Sequence, residues 1–328
     1  MFNANVYFEN SNVMIITTGY YKNEAFIKNL HNNIYVFIQF YYNVEYDVPS
    51  FIQEYEDTIR EHNTTFNTRT NLIFCAPNEE VNKIILGLNY TSIVLNHNCF
   101  IDYNLFKITN SSNNRKYDAV INSRPFWWKR VYLALKIDNL AYIKGEDWAN
   151  DKMSWHGWKD HKFKHLLDNG GLKEVCNVYN NSNVGLLLSG HTGEHRQAGC
   201  EGANFSSCEY LLCGLPIVST PSQGGRDYWF DETNSIICEP NEDDVLDKCN
   251  IMLSRIRENK IDRQQIRNNQ IHKINKLRLN FIKKVSEIFS KYNIHIDSTD
   301  YFNRNYRHKM TDYDVNIDEL ISRMNRLI

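Results

Sequence analysis

Residues 201–225 read EGANFSSCEYLLCGLPIVSTPSQGG, and this stretch decides how we interpret the fold. Two glutamates, Glu201 and Glu209, stand eight positions apart at a predicted helix over 203–213, which precedes a short apolar strand over 216–220. Eight residues exceed two helical turns. The two carboxylates therefore cannot occupy one spot, but they can contact two parts of one elongated ligand.

Both glutamates also have a simpler interpretation, which the sequence leaves open. Glu201 can be a complement to the positive end of the helix dipole. Glu209 can be a solvent-facing residue, although its neighbours Tyr210–Cys213 are apolar and point to a buried position. The spacing of the pair carries more weight than either residue alone.

Outward from this stretch, short β-prone runs alternate with segments of helical period, which is typical of α/β proteins with parallel sheets. The polar run 107–116, KITNSSNNRK, is the best linker and separates two such series. The predicted strands are 5–8, 13–18, 35–40, 71–75, 91–96, 117–123, 139–145, 173–178, 184–189, 216–220 and 235–239. The predicted helices are 22–31, 50–62, 78–88, 128–138, 159–169, 203–213, 241–256 and 262–291, with an amphipathic turn near 317–326.

Composition restricts the function classes. The chain has 328 residues, 42% of them hydrophobic, and a formal net charge of −2, so no global positive field favours nucleic acid. The sequence contains no Cys-x-x-Cys pair, which argues against a zinc or redox motif and favours buried thiols in a reducing compartment. The N-terminus does not resemble a signal peptide, and no apolar run approaches the length of a membrane span. We therefore expect a cytoplasmic protein.

Ligands of open α/β sheets bind at the carboxyl ends of the strands. After the strand 184–189 comes a polar loop that contains His191, Glu194 and His195. A lid over a ligand, with His191 or His195 in contact with it, and a plain exposed loop both stay open; a metal site there is the weakest interpretation. The first amides of the next helix, at Gly202, Ala203, Asn204 and Phe205, are suited to an anionic or hydroxyl-rich ligand.

The segment 201–227 resembles the nucleotide-sugar site of retaining GT-B glycosyltransferases, the "glycosyl transferases group 1" class. Their E-x7-E signature is matched by Glu201 and Glu209, their Gly-x-Pro by residues 214–216, and their Gly-Gly by Gly224 and Gly225. The resemblance implies a GT-B fold, with two Rossmann-like domains facing a cleft and a shortened N-terminal domain. It implies domains over 1–108 and 116–260, and a C-terminal helix and tail over 261–328 that cross back to the first domain.

A second segment, INSRPFWWKRVYLAL over 121–135, resembles the Gly-Arg…Lys-Gly segment of the same class. Arg124 corresponds to its arginine and Lys129 to its lysine, with Arg130 as the alternative one register later. Ser123 replaces the usual glycine. Fixed cations at this position stabilise the negative charge that grows on the leaving nucleoside diphosphate.

The resemblance implies an enzyme that transfers a sugar from a nucleoside-diphosphate sugar to a glycan, a lipid-linked glycan or a protein, with retention of anomeric configuration. It implies that Glu201 binds the donor sugar, that Glu209 binds the ribose, and that neither a metal nor a tightly bound cofactor is required. Two alternatives remain: a nucleotide-sugar epimerase or hydrolase of GT-B shape, and an inactive binding module. For the basic helix 262–291, a solvated face is the simpler interpretation, and a weak contact with a membrane surface stays open.

Overall fold

The computed structural model describes residues 2–19, 23–40, 48–110, 115–146, 161–190, 203–222, 225–310 and 314–327. Its strands are β1 Phe2–Glu9, β2 Met14–Gly19, β3 Ile34–Gln39, β4 Leu72–Ala76, β5 Thr91–Val94, β6 Tyr117–Ser123, β7 Leu140–Lys144, β8 His165–Asp168, β9 Ser182–Leu187, β10 Ile217–Ser219, β11 Ser235–Ile237 and β12 Asp314–Val315. Its helices are α1 Glu24–Lys28, α2 Val48–His62, α3 Thr68–Asn71, α4 Glu79–Gly87, α5 Leu172–Asn180, α6 Phe205–Leu212, α7 Glu242–Arg257, α8 Arg263–Lys291, α9 Ser298–Asn305 and α10 Ile317–Met324.

The chain forms two compact units. The first unit comprises Met1–Asp102 and Ile274–Ile328, and the second unit comprises Tyr103–Lys273, so that helix α8 contributes residues to both. Each unit contains one six-stranded sheet. This arrangement confirms the predicted α/β fold with two Rossmann-like units built on parallel strands.

In the first unit, the strand order is β12-β1-β2-β3-β4-β5, and β2 to β5 are parallel. Strand β1 instead pairs antiparallel with β2, because a tight turn closed by Asn10 N–H to the Val13 carbonyl joins them. A parallel connection needs a crossover of a dozen or more residues. One face of the sheet packs against α1, α2 and α4, and on the other face Phe37 contacts Phe281 of α8 with ring centroids 4.9 Å apart.

In the second unit, all six strands are parallel, in the order β11-β10-β9-β6-β7-β8. The chain begins this sheet with β6, adds β7 and β8 on one side, and then adds β9, β10 and β11 on the other. The order therefore reverses between β6 and β9. A crevice forms at such a switch point, outside the carboxyl ends of the strands, and it is where ligands of open α/β sheets bind.

Three predicted elements are wrong. The segment 128–138 forms two 3-10 turns, Trp127–Lys129 and Val131–Ala134, because Arg130 between them has the left-handed φ of 49° and interrupts any helix. The described part of the predicted helix 159–169 contains strand β8, and the predicted strand 173–178 lies inside helix α5.

The swap between β8 and α5 has a physical cause. Strand β8 lies at the edge of the sheet, and its four residues alternate in burial. Four residues are too few for the apolar pattern to distinguish a strand from a helical turn. In α5, the β-branched Val175 and Val178 favour a strand locally. The helix wins because Val178 and Tyr179 become buried, and because Glu174 caps its first turn by accepting the Gly171 N–H at 2.8 Å.

Candidate functional site

The candidate site lies at the switch point of the second unit. Strand β6 ends beside Arg124, strand β9 continues into Ser189 and Gly190, and strand β10 is followed by Thr220. These carboxyl ends are neighbours because β6 pairs with β9 and β9 pairs with β10, all in the parallel sense. Segments far apart in the sequence therefore bring their polar residues to one edge of the sheet.

Arg124 and Lys129 lie near one another in this region. Arg124 is exposed. It lies beside Gly145, which follows β7, because a β-carbon added to Gly145 would lie 3.2 Å from Arg124 Cγ. Lys129 is half-buried at the end of a 3-10 turn. Burial, followed by the positive charges of Arg124 and Arg226, lowers the pKa of Lys129 to about 7. Like charges in a partly desolvated site repel one another, and a bound anion relieves that cost.

Arg130 differs from Lys129 in its surroundings. It is buried, and its Nη2 occupies the space that a β-carbon on Gly190 would need, so a larger residue at that position would have to displace the guanidinium. Burial lowers the pKa of the Arg130 guanidinium. Its side chain is therefore packed inside the protein beside Gly190, whereas Arg124 is exposed.

Arg226 is a cation of this site that the sequence analysis missed. It is fully buried and donates from Nη1 to Ser189 Oγ at 3.0 Å, and from Nη2 to the carbonyls of Ser189 at 3.1 Å and Thr220 at 2.8 Å. Burial and the charge of Arg130 lower its pKa to about 10. The available signal in the sequence was its position directly after Gly224 and Gly225, inside the segment 201–227 that carries the resemblance.

Glu209 lies in helix α6 with only 5% of its surface exposed. Its Oε2 accepts a hydrogen bond from Tyr179 Oη at 3.0 Å, and Tyr179 Oη in turn accepts one from Asn122 Nδ2. Burial and the negative charge of Glu209 raise the pKa of Tyr179, so its hydroxyl stays protonated and donates. The interpretation of Glu209 as a solvent-facing residue is therefore wrong.

Helix α6, which carries Glu209, packs closely on the sheet through Tyr210. The ring of Tyr210 fills the space that a β-carbon on Gly185 of β9 would need. Its hydroxyl accepts a hydrogen bond from the backbone N–H of Asn122 at 2.7 Å. Asn122, at the end of β6, thus contacts both Tyr179 and Tyr210, although sequence reasoning did not select it.

The remaining predicted site residues fall into two groups. Ala203 is buried and Asn204 and Phe205 are half-buried at the start of α6, while Gly225 has the left-handed φ of 80° directly before Arg226. Glu201, Gly202, Gly224 and His191 lie outside the described residues.

Within the described ranges, no three His, Cys, Asp or Glu side chains come together as a metal site requires. Likewise, none of the helices in the part of the chain that the structure describes has the length and apolarity to span a bilayer.

No protein-family model matches the chain, and no curated protein sequence matches it. Solved structures of similar fold do exist. Sucrose-phosphate synthase from Thermosynechococcus elongatus has a TM-score of 0.58 at 13% identity, over 84% of this chain and 74% of that one. HepE from Anabaena, solved in complex with UDP, has a TM-score of 0.51 at 14% identity over 77% and 72% of the two chains. A glycosyltransferase from Rickettsia africae has a TM-score of 0.52 at 12% identity over 79% and 71%.

The fold is that of GT-B glycosyltransferases. Identities of 12–14% establish this likeness for the fold, and the residues of the site must be argued from their own geometry.

Proposed function

We propose that this chain is a glycosyltransferase that transfers a sugar from a nucleoside-diphosphate sugar to an acceptor, with retention of anomeric configuration. One observation carries the proposal. At the switch point of the second unit, Arg124, Lys129 and Arg226 bring positive charge to one place, in the same sheet edge where Tyr179 orients the carboxylate of Glu209. Cations suit a diphosphate, and a buried carboxylate suits the hydroxyls of a ribose.

Arg124 and Lys129 are the proposed ligands of the diphosphate. Their charges oppose the negative charge that accumulates on the leaving group as the glycosidic bond breaks. The backbone conformation favours Lys129 over Arg130 as the counterpart of the lysine in the Lys-Gly pair. Arg130 has a left-handed φ of 49°, the conformation that glycine adopts readily, and so occupies the glycine position of the Lys-Gly pair in the resemblance.

Glu209 is proposed to accept hydrogen bonds from the ribose hydroxyls, with Tyr179 fixing its carboxylate. Glu201 is proposed to bind hydroxyls of the donor sugar, and the amides of residues 202–205 to assist at the diphosphate. We propose that His191 belongs to a lid and contacts the donor. We also propose that Gly224 and Gly225 let the backbone approach the donor closely. We expect no metal and no tightly bound cofactor to be needed.

Two structures of similar fold suggest the first donor to test. HepE from Anabaena was solved with UDP-glucose, and a pneumococcal O-GlcNAc transferase with UDP and GlcNAc. We therefore propose a uridine nucleotide as the first probe. The acceptor class is proposed as a glycan, lipid-linked glycan or protein, and a cytoplasmic location with a weak membrane contact of α8 stays a prediction.

The test begins with binding. A thermal-shift screen of UDP, GDP, ADP and their glucose and N-acetylglucosamine sugars should show stabilisation by the donor, because a ligand that binds the folded state raises the melting temperature by mass action. Transfer is then measured with a panel of sugar acceptors, and the anomeric configuration of the product is determined.

Variants make the assignment specific. Arg124→Ala and Glu201→Ala should each lower transfer by about 100-fold or more. Arg257→Ala serves as the matched control, since Arg257 lies exposed at the end of α7. Full turnover by Arg124→Ala would contradict the proposal. Donor consumption that needs no acceptor would identify an epimerase or hydrolase, and donor binding without any turnover would identify an inactive binding module.

A further inference from the structure

Asn122 contacts tyrosines from two different helices, and the proposed sugar transfer gives it no role. It is the last residue but one of β6, a strand at the switch point of the second unit. Its Nδ2 donates a hydrogen bond to Tyr179 Oη of α5, and its backbone N–H donates one to Tyr210 Oη of α6 at 2.7 Å. One residue of the sheet therefore contacts both α5 and the helix that carries Glu209.

The hydroxyl of Tyr179 has a defined direction. A phenol carries one O–H and accepts hydrogen bonds through its oxygen lone pairs. Because Asn122 Nδ2 only donates, it occupies an acceptor position of Tyr179 Oη, and the one O–H points to Glu209 Oε2 at 3.0 Å. The hydrogen bonds therefore run one way, from the amide through the tyrosine to the carboxylate.

Tyr210 fixes the ring of Tyr179 from the neighbouring helix. The two rings meet edge to face with centroids 4.9 Å apart, and both side chains are fully buried. Tyr210 Oη is itself held, since it accepts from the Asn122 N–H and donates to the Val120 carbonyl at 3.4 Å. With the rings packed in this way, the freedom that remains to Tyr179 is rotation of its O–H, and Asn122 restricts that rotation.

Glu209 depends on hydrogen-bond donors because only 5% of its surface is exposed. An ionised carboxylate is costly to bury unless it accepts hydrogen bonds, and hydrogen bonds to a charged acceptor are stronger than those between neutral groups. A carboxylate offers about four acceptor positions, of which the Tyr179 hydroxyl takes one. Ribose hydroxyls are donors of the same kind, and a nucleotide without them brings no such donor.

We propose that Asn122 is a positioning residue of the donor site: it commits the Tyr179 O–H to Glu209, and the carboxylate held in this way selects a nucleotide with ribose hydroxyls over one that lacks them. This inference rests on the proposed function, because it takes Glu209 as the group that accepts from the ribose. In this arrangement Asn122 contacts no part of the nucleotide and acts only through Tyr179.

A change of one functional group at position 122 reverses the arrangement. Asn122→Asp keeps the shape of the side chain but replaces its donor by an acceptor. The single O–H of Tyr179 then lies between two carboxylates, so its hydrogen bond to Glu209 is weakened. A side chain that mattered only for packing would give the opposite order, with Asn122→Asp close to the wild type and Asn122→Leu the more damaging variant.

The first measurement uses the free protein and no ligand. Tyrosine labelled with carbon-13 at Cζ gives NMR resonances that respond to the hydrogen bonds of each hydroxyl, and Tyr179→Phe identifies the resonance of Tyr179. Asn122→Leu and Asn122→Asp should both shift this resonance, Asn122→Asp by more. Asn139→Leu is the matched control and should leave it unchanged, since Asn139 donates to Asp118 at 3.1 Å at the opposite, amino-terminal end of the strands.

The second measurement is calorimetry of UDP and of its 2′,3′-dideoxy analogue, with the GDP and ADP pairs as parallel probes. The ratio of the two affinities isolates the ribose hydroxyls, because both ligands carry the same base and diphosphate. Asn122→Leu and Tyr179→Phe should each lower this ratio by about tenfold through the affinity for UDP, and leave the affinity for the analogue unchanged. The double variant should lose no more than Tyr179→Phe alone, because Asn122 acts through that hydroxyl.

Asn122→Asp keeps the inference testable where Asn122→Leu does not fold, and it should lower the ratio as well. Asn139→Leu should leave the ratio as it is in the wild type.

The outcomes separate the two proposals. An unchanged Tyr179 resonance in both Asn122 variants overturns the inference even where UDP binds well, and so does a double variant in which the two losses multiply. A resonance that shifts as expected, in a protein that binds none of the three nucleotides, overturns the proposed function and the selection of ribose with it. A ratio lowered alike in Asn122→Leu, Tyr179→Phe and the double variant supports both proposals.

Discussion

The carboxyl ends of the parallel strands carry different chemistry in the two units. In the second unit they bring together Arg124, Lys129 and Arg226. In the first unit, the ends of β2 and β3 carry Thr17 and Gln39, both neutral and fully buried. Among the residues that the structure describes, Thr17 Oγ1 and both amide atoms of Gln39 make no hydrogen bond.

The same sheet geometry carries different chemistry at its strand ends in the two units, because the strands set only where side chains meet. In the second unit, Lys129 is repelled by the positive charges of Arg124 and Arg226, and a bound anion relieves this repulsion. In the first unit, Thr17 and Gln39 make no side-chain hydrogen bond to the described residues, and a buried polar group left in that state costs about 1–3 kcal/mol. The predictions below test whether the two costs are as separate as the structure indicates.

The largest effect is expected from the double variant Arg124→Met, Lys129→Met. Each charged hydrogen bond contributes about 1.5–3 kcal/mol, so loss of both cations should weaken UDP binding by about 100-fold or more. Calorimetry at about pH 6, where Lys129 is charged in the wild type, measures it. Gln39→Leu serves as the control and should bind UDP as the wild type does. Equal losses in the two variants would break the comparison.

Glu209→Gln should weaken UDP binding by about 10–100-fold, because an amide replaces the carboxylate proposed to accept from the ribose. The matched control is the 2′,3′-dideoxy nucleotide, which lacks both hydroxyls. Wild type and variant should bind that analogue alike. A similar loss for the analogue would mean that Glu209 acts on stability and not on the ribose.

Gly185→Ala should lower the free energy of unfolding by about 1–3 kcal/mol, because the added methyl meets the ring of Tyr210 in a well-packed layer. Chemical denaturation measures this change. Gly87→Ala in α4 is the control, since a β-carbon there has open space around it. An unchanged stability of Gly185→Ala would show that α6 does not pack as tightly on β9 as the contact indicates.

Gln39→Leu should raise the free energy of unfolding by about 1–2 kcal/mol, because it removes buried polar atoms that make no hydrogen bond to the described residues. Thermal and chemical denaturation both report it. A loss of stability would show that the Gln39 amide has a hydrogen-bond partner in the folded protein. The first sheet would then hold no unsatisfied amide at the end of β3.

The smallest effect is expected from metal removal. Treatment with a chelator should leave UDP binding and sugar transfer unchanged, because the proposed site opposes the diphosphate with side-chain cations. The assay is repeated with added magnesium and manganese. A strict need for either ion would require a metal bridge at the diphosphate, and would reduce the role assigned to Arg124 and Lys129.

The sequence by itself determined the alternation of strands and helices, and it predicted Arg124 directly after a strand, where β6 ends. These are local properties, set by apolar periodicity and by the position of polar residues after a strand. The same local reasoning failed for β8, whose four residues carry too little pattern, and for α5, where β-branched valines favour a strand locally. The roles of Arg124, Lys129 and Glu209 at the site stay predictions.

The tertiary structure alone decided which of these residues act together. Tyr179 meets Glu209 from 30 residues away, and Arg226 meets Ser189 from 37 residues away. No local pattern records such a contact, because it depends on the order in which strands join the sheet. The reversal between β6 and β9 sets that order, and it follows from packing helices on both faces of a parallel sheet and not from any one stretch of residues.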